Sequence, residues 1–415
     1  MRFCKRCFYP ESHPLNIIID EEGICSGCRV HEEKFSINWK EKEDKLKKLL
    51  HQYKSTSGLT YDCIIPVSGA KDSYYIVDLI KNVYGMNPLL VNYNKHYNTS
   101  IGHRNFAYLK TRLNCDAMSM VVQPQKVKKI TQHTLDKFGS IYWHVLAGET
   151  VFPVQVAVRF KIPLIIWGAH QGLDQVGMFS HDDEVEMTRK YRKEHDLMGF
   201  EAEDLLKNSD LDESDILQYI YPHDKEIEKT GVRGIYLGNY IPWDSKKFHE
   251  KMIQKFDFES APQQRTFDIY NHTDCVHYSG LHDYIKTLKH GYGKVTDHAS
   301  RELRWGRLNR KEGFELIKSY QNIKPSDTTD FCKWIDISEH KLFETLEKFR
   351  NPLFWKRDKG EWELKHSILS ADNNLQKFPT QNKDTTCNFI LTDSKVSPEK
   401  EYTYKLIEKG FVIND

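Results

Sequence analysis

Short apolar runs alternate with segments of helical periodicity along the first part of the chain. The runs predict buried strands because they are short and apolar, and the first of them, residues 63–67, is also largely β-branched and bounded by turn residues. They cover residues 63–67, 88–93, 117–123, 163–167 and 234–238. Between them, apolar positions recur at helical spacing over residues 102–114, 125–138 and 147–160. Strands that alternate with helices in this way predict an α/β fold.

The alternation also predicts how the strands connect. Right-handed crossovers between successive strands give a doubly wound parallel sheet with helices on both faces. Ligands of such sheets bind beyond the carboxyl ends of the strands, where the strand order reverses. Tyr93, Gly168 and the turn that begins at Ser68 all follow predicted strands. We therefore expect the ligand site at this edge.

Pattern and composition divide the chain into four regions. Residues 1–35 are rich in cysteine, and residues 36–58 hold a charged amphipathic helix with a loop behind it. Residues 59–325 carry the alternating pattern. Residues 326–415 predict a mainly helical extension, with helices over 338–349 and 398–409.

An acidic insertion over residues 174–230 interrupts the alternating region. Its run His181-Asp182-Asp183-Glu184 admits a metal site. No ligand spacing stands out, so a solvated insertion over the active site is the favoured interpretation.

Composition restricts the function classes. The 415 residues include 60 Lys and Arg against 59 Asp and Glu, and this near-neutral balance argues against nucleic acid as the main partner. The chain starts MRFCKRC with no apolar signal region, and no stretch is long enough to span a membrane. We expect a cytoplasmic protein with no membrane partner.

The turn Ser68-Gly69-Ala70-Lys71-Asp72-Ser73, here called the 68–73 loop, joins the first strand to an amphipathic helix. Backbone N–H groups at a helix N-terminus favour an anion, and a glycine lets a phosphate approach the backbone. The two serines offer hydroxyl donors, and Asp72 is placed to hold Mg²⁺. No G-x-x-x-x-G-K-[ST] sequence occurs, and no G-x-G-x-x-G follows this strand. The alternative is an ordinary turn in which Asp72 and Ser73 only cap the helix.

Two cysteine pairs near the N-terminus have the spacing of a zinc ribbon. Cys4 and Cys7 form one C-x-x-C pair, Cys25 and Cys28 the other, and seventeen residues separate the pairs. Disulfides are the rival interpretation, but a reducing cytosol disfavours them. Four thiolates close the shell of a Zn²⁺ ion, so we expect a structural metal.

A basic segment over residues 285–311 is the third informative stretch. Gly291 and Gly293 make a turn flanked by lysines, and Arg301, Arg304 and Arg307 follow at three-residue spacing. Neighbouring arginine forks suit a diphosphate or a carboxylate. A solvent-facing segment paired with its own glutamates explains the pattern equally well.

The 68–73 loop resembles the S-G-G-x-D-S loop of the PP-loop ATP pyrophosphatases, with Ala70 in place of the second glycine. The cysteine ribbon, the run from Asp20 to Cys28 and the late GYGKVTD and RELRWGR sequences extend the similarity. Together they resemble the N-acetyl sugar amidotransferases, a PP-loop family of bacterial O-antigen (lipopolysaccharide) and nonulosonic-acid pathways. The similarity spans residues 1 to about 320.

The resemblance implies a ligase-type reaction on a nucleotide-linked N-acetyl sugar. The amide oxygen attacks the α-phosphorus of ATP, pyrophosphate leaves, and ammonia displaces AMP from the O-adenylyl intermediate to give an acetamidino group. Ser68, Lys71 and Asp72 would be catalytic, with Asp72 holding Mg²⁺. The residues implied to bind ATP or pyrophosphate are Ser68, Gly69, Ala70, Lys71, Asp72, Ser73, Tyr93 and Gly168. Those implied to bind the phosphates or the sugar nucleotide are Lys289, Lys294, Arg301 and Arg304.

The implied reaction needs a source of ammonia. The chain has Arg at residue 2 instead of a nucleophilic cysteine, and no G-x-C-x-G elbow occurs. The resemblance therefore implies a separate glutaminase subunit, similar to that of imidazole glycerol phosphate synthase.

Two other functions stay open. A zinc-ribbon PP-loop tRNA thiolase would need sulfur-handling cysteines near the loop, and Cys115 and Cys275 are unpaired in sequence. A non-catalytic binding relative would explain Ala70 as a degenerate loop position.

Overall fold

A five-stranded parallel sheet organises the computed structural model. The structure describes residues 1–15, 17–207, 209–271 and 277–371, together with two short strands at 390–392 and 406–408. The sheet has the order β3-β2-β1-β4-β5. Its strands are β1 (Cys63–Pro66), β2 (Pro88–Tyr93), β3 (Ala117–Met120), β4 (Leu164–Trp167) and β5 (Arg233–Tyr236).

The strand order places a switch point beside β1. From β1 the chain runs outward through β2 and β3, then returns to add β4 and β5 on the other side. The loops after β1 and β4 therefore leave the sheet in opposite directions and open a crevice at the carboxyl edge. The parallel α/β prediction is confirmed.

Helices cover both faces of the sheet. The α-helices before the C-terminal region are α1 (Ser26–Glu33), α2 (Trp39–Tyr53), α3 (Lys71–Val77), α4 (Ser100–Leu113), α5 (Pro124–Phe138), α6 (Trp143–Phe160), α7 (Gln171–Asp174), α8 (Arg189–Tyr191), α9 (Glu213–Ile216), α10 (Asp224–Thr230), α11 (Ser245–Phe256), α12 (Ser279–His290), α13 (Lys294–Arg304) and α14 (Arg310–Tyr320). The π-helical turns are Asp78–Val83 and Arg192–Asp196, and the 3-10 helices are His181–Asp183, Ala202–Leu206, Leu217–Tyr219 and Leu237–Asn239. Buried apolar side chains pack on each face, with Ile65 and Leu90 on one and Ile64 and Val91 on the other.

The cysteine-rich N-terminus packs against the sheet domain. Tyr9 and Ile19 share a buried cluster with Phe179, Tyr191 and Tyr292 from later segments. The Ser26 hydroxyl donates a hydrogen bond of 2.7 Å to the Val176 carbonyl. The ribbon is therefore part of the molecular core and not an appended module.

The C-terminal region is mixed, and the prediction that it is mainly helical missed its strands. It contains helices α15 (Thr328–Trp334), α16 (Glu339–Glu347) and α17 (Ile368–Ala371). Two antiparallel pairs accompany them, β6 (Trp355–Asp358) with β7 (Glu361–Leu364) and β8 (Ile390–Thr392) with β9 (Leu406–Glu408).

The helix predicted over 398–409 is wrong at residues 406–408, the part of that range that the structure describes. Residues 406–408 form β9, because they hydrogen-bond to β8 instead of following the local helical pattern. The rest of that prediction lies outside the described residues. In the described part of the chain, no helix has both the length and the apolarity needed to cross a bilayer.

Candidate functional site

The 68–73 loop leaves the end of β1 and turns directly into α3. Gly69 has a φ of +87°, in the left-handed region, and a Cβ there would lie 3.0 Å from the Phe106 Cβ. The loop is closed by its own serines, since the Ser68 N–H donates to Ser73 Oγ at 3.0 Å and the Ala70 N–H to Ser68 Oγ at 3.2 Å. Gly69 is thus required both by backbone angle and by space.

Ala70 fits this loop without strain. It is the N-cap of α3, with φ −78° and ψ 172°, which is ordinary extended backbone. Its methyl side chain supplies no acceptor for the N–H groups of the first helical turn. Those groups are therefore open to an anion that lies above the loop.

The charged residues of the loop sit at its helical end. Lys71 is buried, and its Nζ lies 2.7 Å from Asp72 Oδ2. The other Asp72 oxygen, Oδ1, is buried and has no hydrogen-bond partner. A carboxylate oxygen in this position suits Mg²⁺, which commonly takes one or two protein carboxylates and completes its shell with phosphates and water.

The four ribbon cysteines converge into a single buried cluster. Their sulfur atoms all lie within 4.8 Å of one another, and no other such group of ligands occurs in the described ranges. The Cys7–Cys25 and Cys4–Cys28 sulfur separations are 3.5 and 4.0 Å. A tetrahedral zinc with Zn–S bonds of about 2.3 Å sets its sulfurs about 3.8 Å apart, so the cluster fits Zn²⁺ and not two disulfides.

Two arginines, Arg304 and Arg310, contact this cluster from the end of the basic segment 285–311. Arg304 points its guanidinium at Cys7 Sγ (3.9 Å) and Cys25 Sγ (3.7 Å), and it donates to the Gln175 carbonyl at 2.6 Å. Gly27 makes room for it, since a Cβ there would lie 2.4 Å from the Arg304 Nη2. Arg310 donates to the carbonyls of Cys4 and Cys7. These cations offset the negative charge that four thiolates leave around one Zn²⁺.

A cavity of about 520 Å³ opens beside the ribbon, and we call it the main cavity. Its walls come from the ribbon, from the segments after β2 and β4, and from α12 and α13. Because β2 and β4 flank β1, the main cavity lies at the same sheet edge as the 68–73 loop. Its lining includes Tyr9, Lys95, Tyr142, Glu149, Gln171, Asp174, Gln175, His195, Asp196, His282, Lys286, Lys294, Asp297, His298, Arg301 and Arg304.

Polar contacts tie the walls of the main cavity together. The ribbon residue Tyr9 donates to Asp297 Oδ1 at 3.0 Å, and Gln175 Nε2 reaches the Tyr9 hydroxyl at 2.9 Å. Lys286 pairs with the second oxygen of Asp297. One tyrosine thus joins the ribbon, the segment after β4 and helix α13.

An aromatic wall and a cationic wall complete the main cavity. The rings of Tyr142 and His282 are tilted against each other with centroids 4.2 Å apart. Lys294 donates to the neutral acceptors Gln263 Oε1 (2.9 Å) and Ser279 Oγ (3.2 Å). Aromatic faces beside cations are suited to a ligand that carries both a flat ring and phosphates.

Several of the residues proposed from sequence occupy other positions. Tyr93 lies in the core, where its ring packs on Gly148 and its hydroxyl bonds to Tyr219 (2.7 Å) and His144 (3.1 Å). The Tyr93 side chain therefore points into the core, and a contact of this residue with ATP stays a prediction. Gly168 leaves space for the Trp243 ring, which a Cβ would approach to 2.8 Å.

The four predicted cations also separate. Lys289 does not line the main cavity: its Nζ donates to the Phe138 carbonyl at 2.6 Å and lies over the Phe349 ring, and burial lowers its pKa to about 8. Arg301 pairs with Glu302 (2.7 Å) and Asp268 (2.5 Å) at the cavity wall. Arg304 also lines the main cavity, but its guanidinium faces the ribbon cysteines. A phosphate contact of any of the four residues stays a prediction.

The acidic insertion packs against the ribbon side of the molecule instead of being merely solvated. His181 is buried and faces the Glu33 carboxylate at 3.2 Å, while Glu184 pairs with Lys42 at 2.9 Å. His181 and Glu184 are thereby engaged in contacts within the protein. The same insertion contributes Asp196 to the main cavity, a residue that its sequence context did not single out.

Comparisons with known proteins found one family model that is similar to part of the chain. Residues 247–369 match the family model described as LPS biosynthesis protein WbpG-like, C-terminal domain. That range includes α12 and α13, which form one wall of the main cavity. No curated protein matches the chain. Among solved structures, that of NMN synthetase from Francisella tularensis is similar over 55% of this chain and 99% of its own, with 14% identity and a TM-score of 0.26.

Proposed function

We propose that the protein is an AMP-forming amidotransferase that converts the N-acetyl group of a nucleotide-linked sugar into an acetamidino group, in lipopolysaccharide or nonulosonic-acid sugar biosynthesis. The observation that carries the proposal is the 68–73 loop at the switch point, with a phosphate-compatible Gly69 backbone. A cavity large enough for a sugar nucleotide lies at the same carboxyl edge of the sheet, although no residue of the loop lines it. The match of residues 247–369 to a lipopolysaccharide biosynthesis family supports the substrate class.

The 68–73 loop is assigned to ATP. The amides of the first turn of α3 and the hydroxyls of Ser68 and Ser73 bind the leaving pyrophosphate, and Lys71 balances its charge. Asp72 Oδ1 would hold Mg²⁺, which neutralises the phosphates when bound. The loop thus positions and stabilises charge, without a nucleophilic side chain.

The main cavity is assigned to the sugar nucleotide. Lys294 and Arg301 face its diphosphate or carboxylate, and the Tyr142–His282 wall faces a flat ring. The N-acetyl oxygen must then reach the α-phosphorus at the boundary between the main cavity and the 68–73 loop. We propose that ammonia arrives from a separate glutaminase subunit.

The proposal is tested by following ATP in the presence of Mg²⁺, an ammonium salt and a panel of UDP-, CMP- and GDP-linked N-acetyl sugars. We expect AMP and pyrophosphate only with one sugar class, together with a product one mass unit lighter in which NH replaces the amide oxygen. Asp72→Asn should abolish this turnover, whereas the surface variant Asp257→Asn should leave it unchanged.

Bulk tRNA serves as the competing substrate in the same assay. Turnover that depends on tRNA would contradict the proposal and support the thiolase alternative. Production of ADP in place of AMP would contradict the assigned attack on the α-phosphorus.

A further inference from the structure

The main cavity contains a carboxyl group that no part of the proposed ATP chemistry uses. Asp196 ends the π-helical turn Arg192–Asp196 and lines the main cavity beside Glu149 and Lys95. The π-helical turn is central to this placement, because its wider winding alters which residues face inward.

The charged neighbours of Asp196 are already engaged with other residues. Arg192 is buried and pairs with Glu201 at 3.0 Å, and Lys95 pairs with Glu149 at 2.9 Å. No residue in the described part of the chain forms an ion pair with Asp196 itself. Burial, aided by Glu149 and opposed by Arg192, raises the pKa of Asp196 to about 7.

The second half of the proposed reaction needs a group of this kind. When ammonia adds to the imidate carbon, its lone pair forms the new C–N bond, and the C–O bond to AMP breaks with its electron pair on AMP. The nitrogen that entered as NH₃ must release one proton before the amidinium product is complete. A base that titrates near the working pH accepts such a proton efficiently.

We infer that Asp196 is the proton acceptor for the attacking ammonia, positioned in the main cavity by the π-helical turn and kept free of ion pairs for that purpose. The inference rests on the proposed function. The proton passes from the nitrogen to a carboxylate oxygen of Asp196 and from there to solvent, so the carboxylate is regenerated in each cycle.

The test separates the two halves of the reaction with Asp196→Asn in the full chain. Sugar-dependent exchange of labelled pyrophosphate into ATP, without ammonium, reports adenylation alone, and we expect the variant to retain it. Formation of the amidino product should fall by about 10²- to 10⁴-fold. Glu194→Gln, an exposed position on the same turn, is the matched control and should retain both activities.

The pH profile gives a readout that a merely structural role would not produce. At constant free ammonia, product formation should fall as the pH drops through about 7, because protonated Asp196 cannot accept a proton. The titratable and charged groups around it are Glu149, Arg192, His195, Tyr236 and, through Glu149, Lys95. Asp196→Asn should remove this limb and leave a flat residual rate.

Stability measurements check that the variant folds. A carboxyl whose pKa is raised in the folded state stabilises the fold at low pH, and this contribution is lost as the pH rises through the raised pKa. At pH 8 the melting temperature of Asp196→Asn should therefore be no lower than that of the parent protein. Wild-type product formation by a folded Asp196→Asn, or equal loss of pyrophosphate exchange, would overturn the inference. Absence of sugar-dependent exchange in the parent protein would overturn the proposed function, and this inference with it.

Discussion

Two adjacent residues of the 68–73 loop differ in what their backbone allows. Gly69 has a φ of +87°, which is unstrained only for glycine, while Ala70 has a φ of −78°, which any residue can adopt. The absence of a second glycine is therefore no sign of a degenerate loop. The conformation at residue 70 removes the one sequence feature that favoured a non-catalytic relative.

Gly69→Ala and Ala70→Gly should behave oppositely. A Cβ at residue 69 costs about 1–2 kcal/mol in backbone strain and also contacts Phe106, so the free loop should relax to another conformation. Because ATP must then restore the strained conformation, it should bind about 5- to 30-fold more weakly by titration calorimetry. Ala70→Gly should change the affinity little. A large gain in turnover for Ala70→Gly would show that the methyl group impairs the loop.

Arg304 illustrates a residue whose role depends on a distant segment. Its sequence neighbours suggest a phosphate site, but its guanidinium lies on the thiolates of Cys7 and Cys25. Nothing local indicates this contact, because the ribbon is nearly 300 residues earlier in the chain. Charge-assisted bonds of this kind need the planar arginine fork.

Arg304→Lys should therefore weaken the zinc site first. The lysine side chain is shorter and ends in a single ammonium group, so it cannot donate to the cysteine sulfurs and to the Gln175 carbonyl at the same time. We expect faster zinc release to a colorimetric chelator, whereas the exposed control Arg104→Lys should release zinc at the parental rate. Unchanged zinc release with a large loss of sugar-nucleotide affinity would instead assign Arg304 to the substrate.

At the scale of elements, the ribbon forms a wall of the main cavity. Tyr9, two residues after Cys7, joins the ribbon to Gln175 and Asp297. A ribbon this small has no core of its own, and metal binding supplies free energy on the order of 10 kcal/mol to fold it. A Zn²⁺ ion held by the four cysteines would therefore be structural in its coordination, and it would also shape the main cavity.

Loss of zinc should disturb the main cavity while the sheet survives. Cys25→Ser should reduce the zinc content from one ion per chain to near zero by elemental analysis and lower the melting temperature. Cys115→Ser, at a half-exposed cysteine outside the cluster, is the control and should keep the metal. Retained zinc in Cys25→Ser would contradict the four-thiolate site.

At the scale of the whole molecule, the sequence predicted the parts better than their assembly. Apolar runs such as 88–93 located the strands, and the cysteine spacing located the four-cysteine cluster. The direction of the Tyr93 side chain could not be predicted from the sequence, because every residue of β2 is buried and no alternation of apolar and polar residues marks its two faces. Asp196 and Tyr9 were missed because the main cavity joins segments from across the chain, and only tertiary packing brings them together.

In the proposed reaction an amide oxygen of the sugar attacks the α-phosphorus of ATP, and labelling of that oxygen shows where it goes. The substrate identified by the panel is prepared with ¹⁸O in its N-acetyl carbonyl and turned over with unlabelled ATP in ordinary water. We predict that the AMP formed carries the ¹⁸O, as read by mass spectrometry, in equal amount with the amidino product. Unlabelled AMP, with the ¹⁸O retained in the sugar or lost to water, would exclude attack by the amide oxygen.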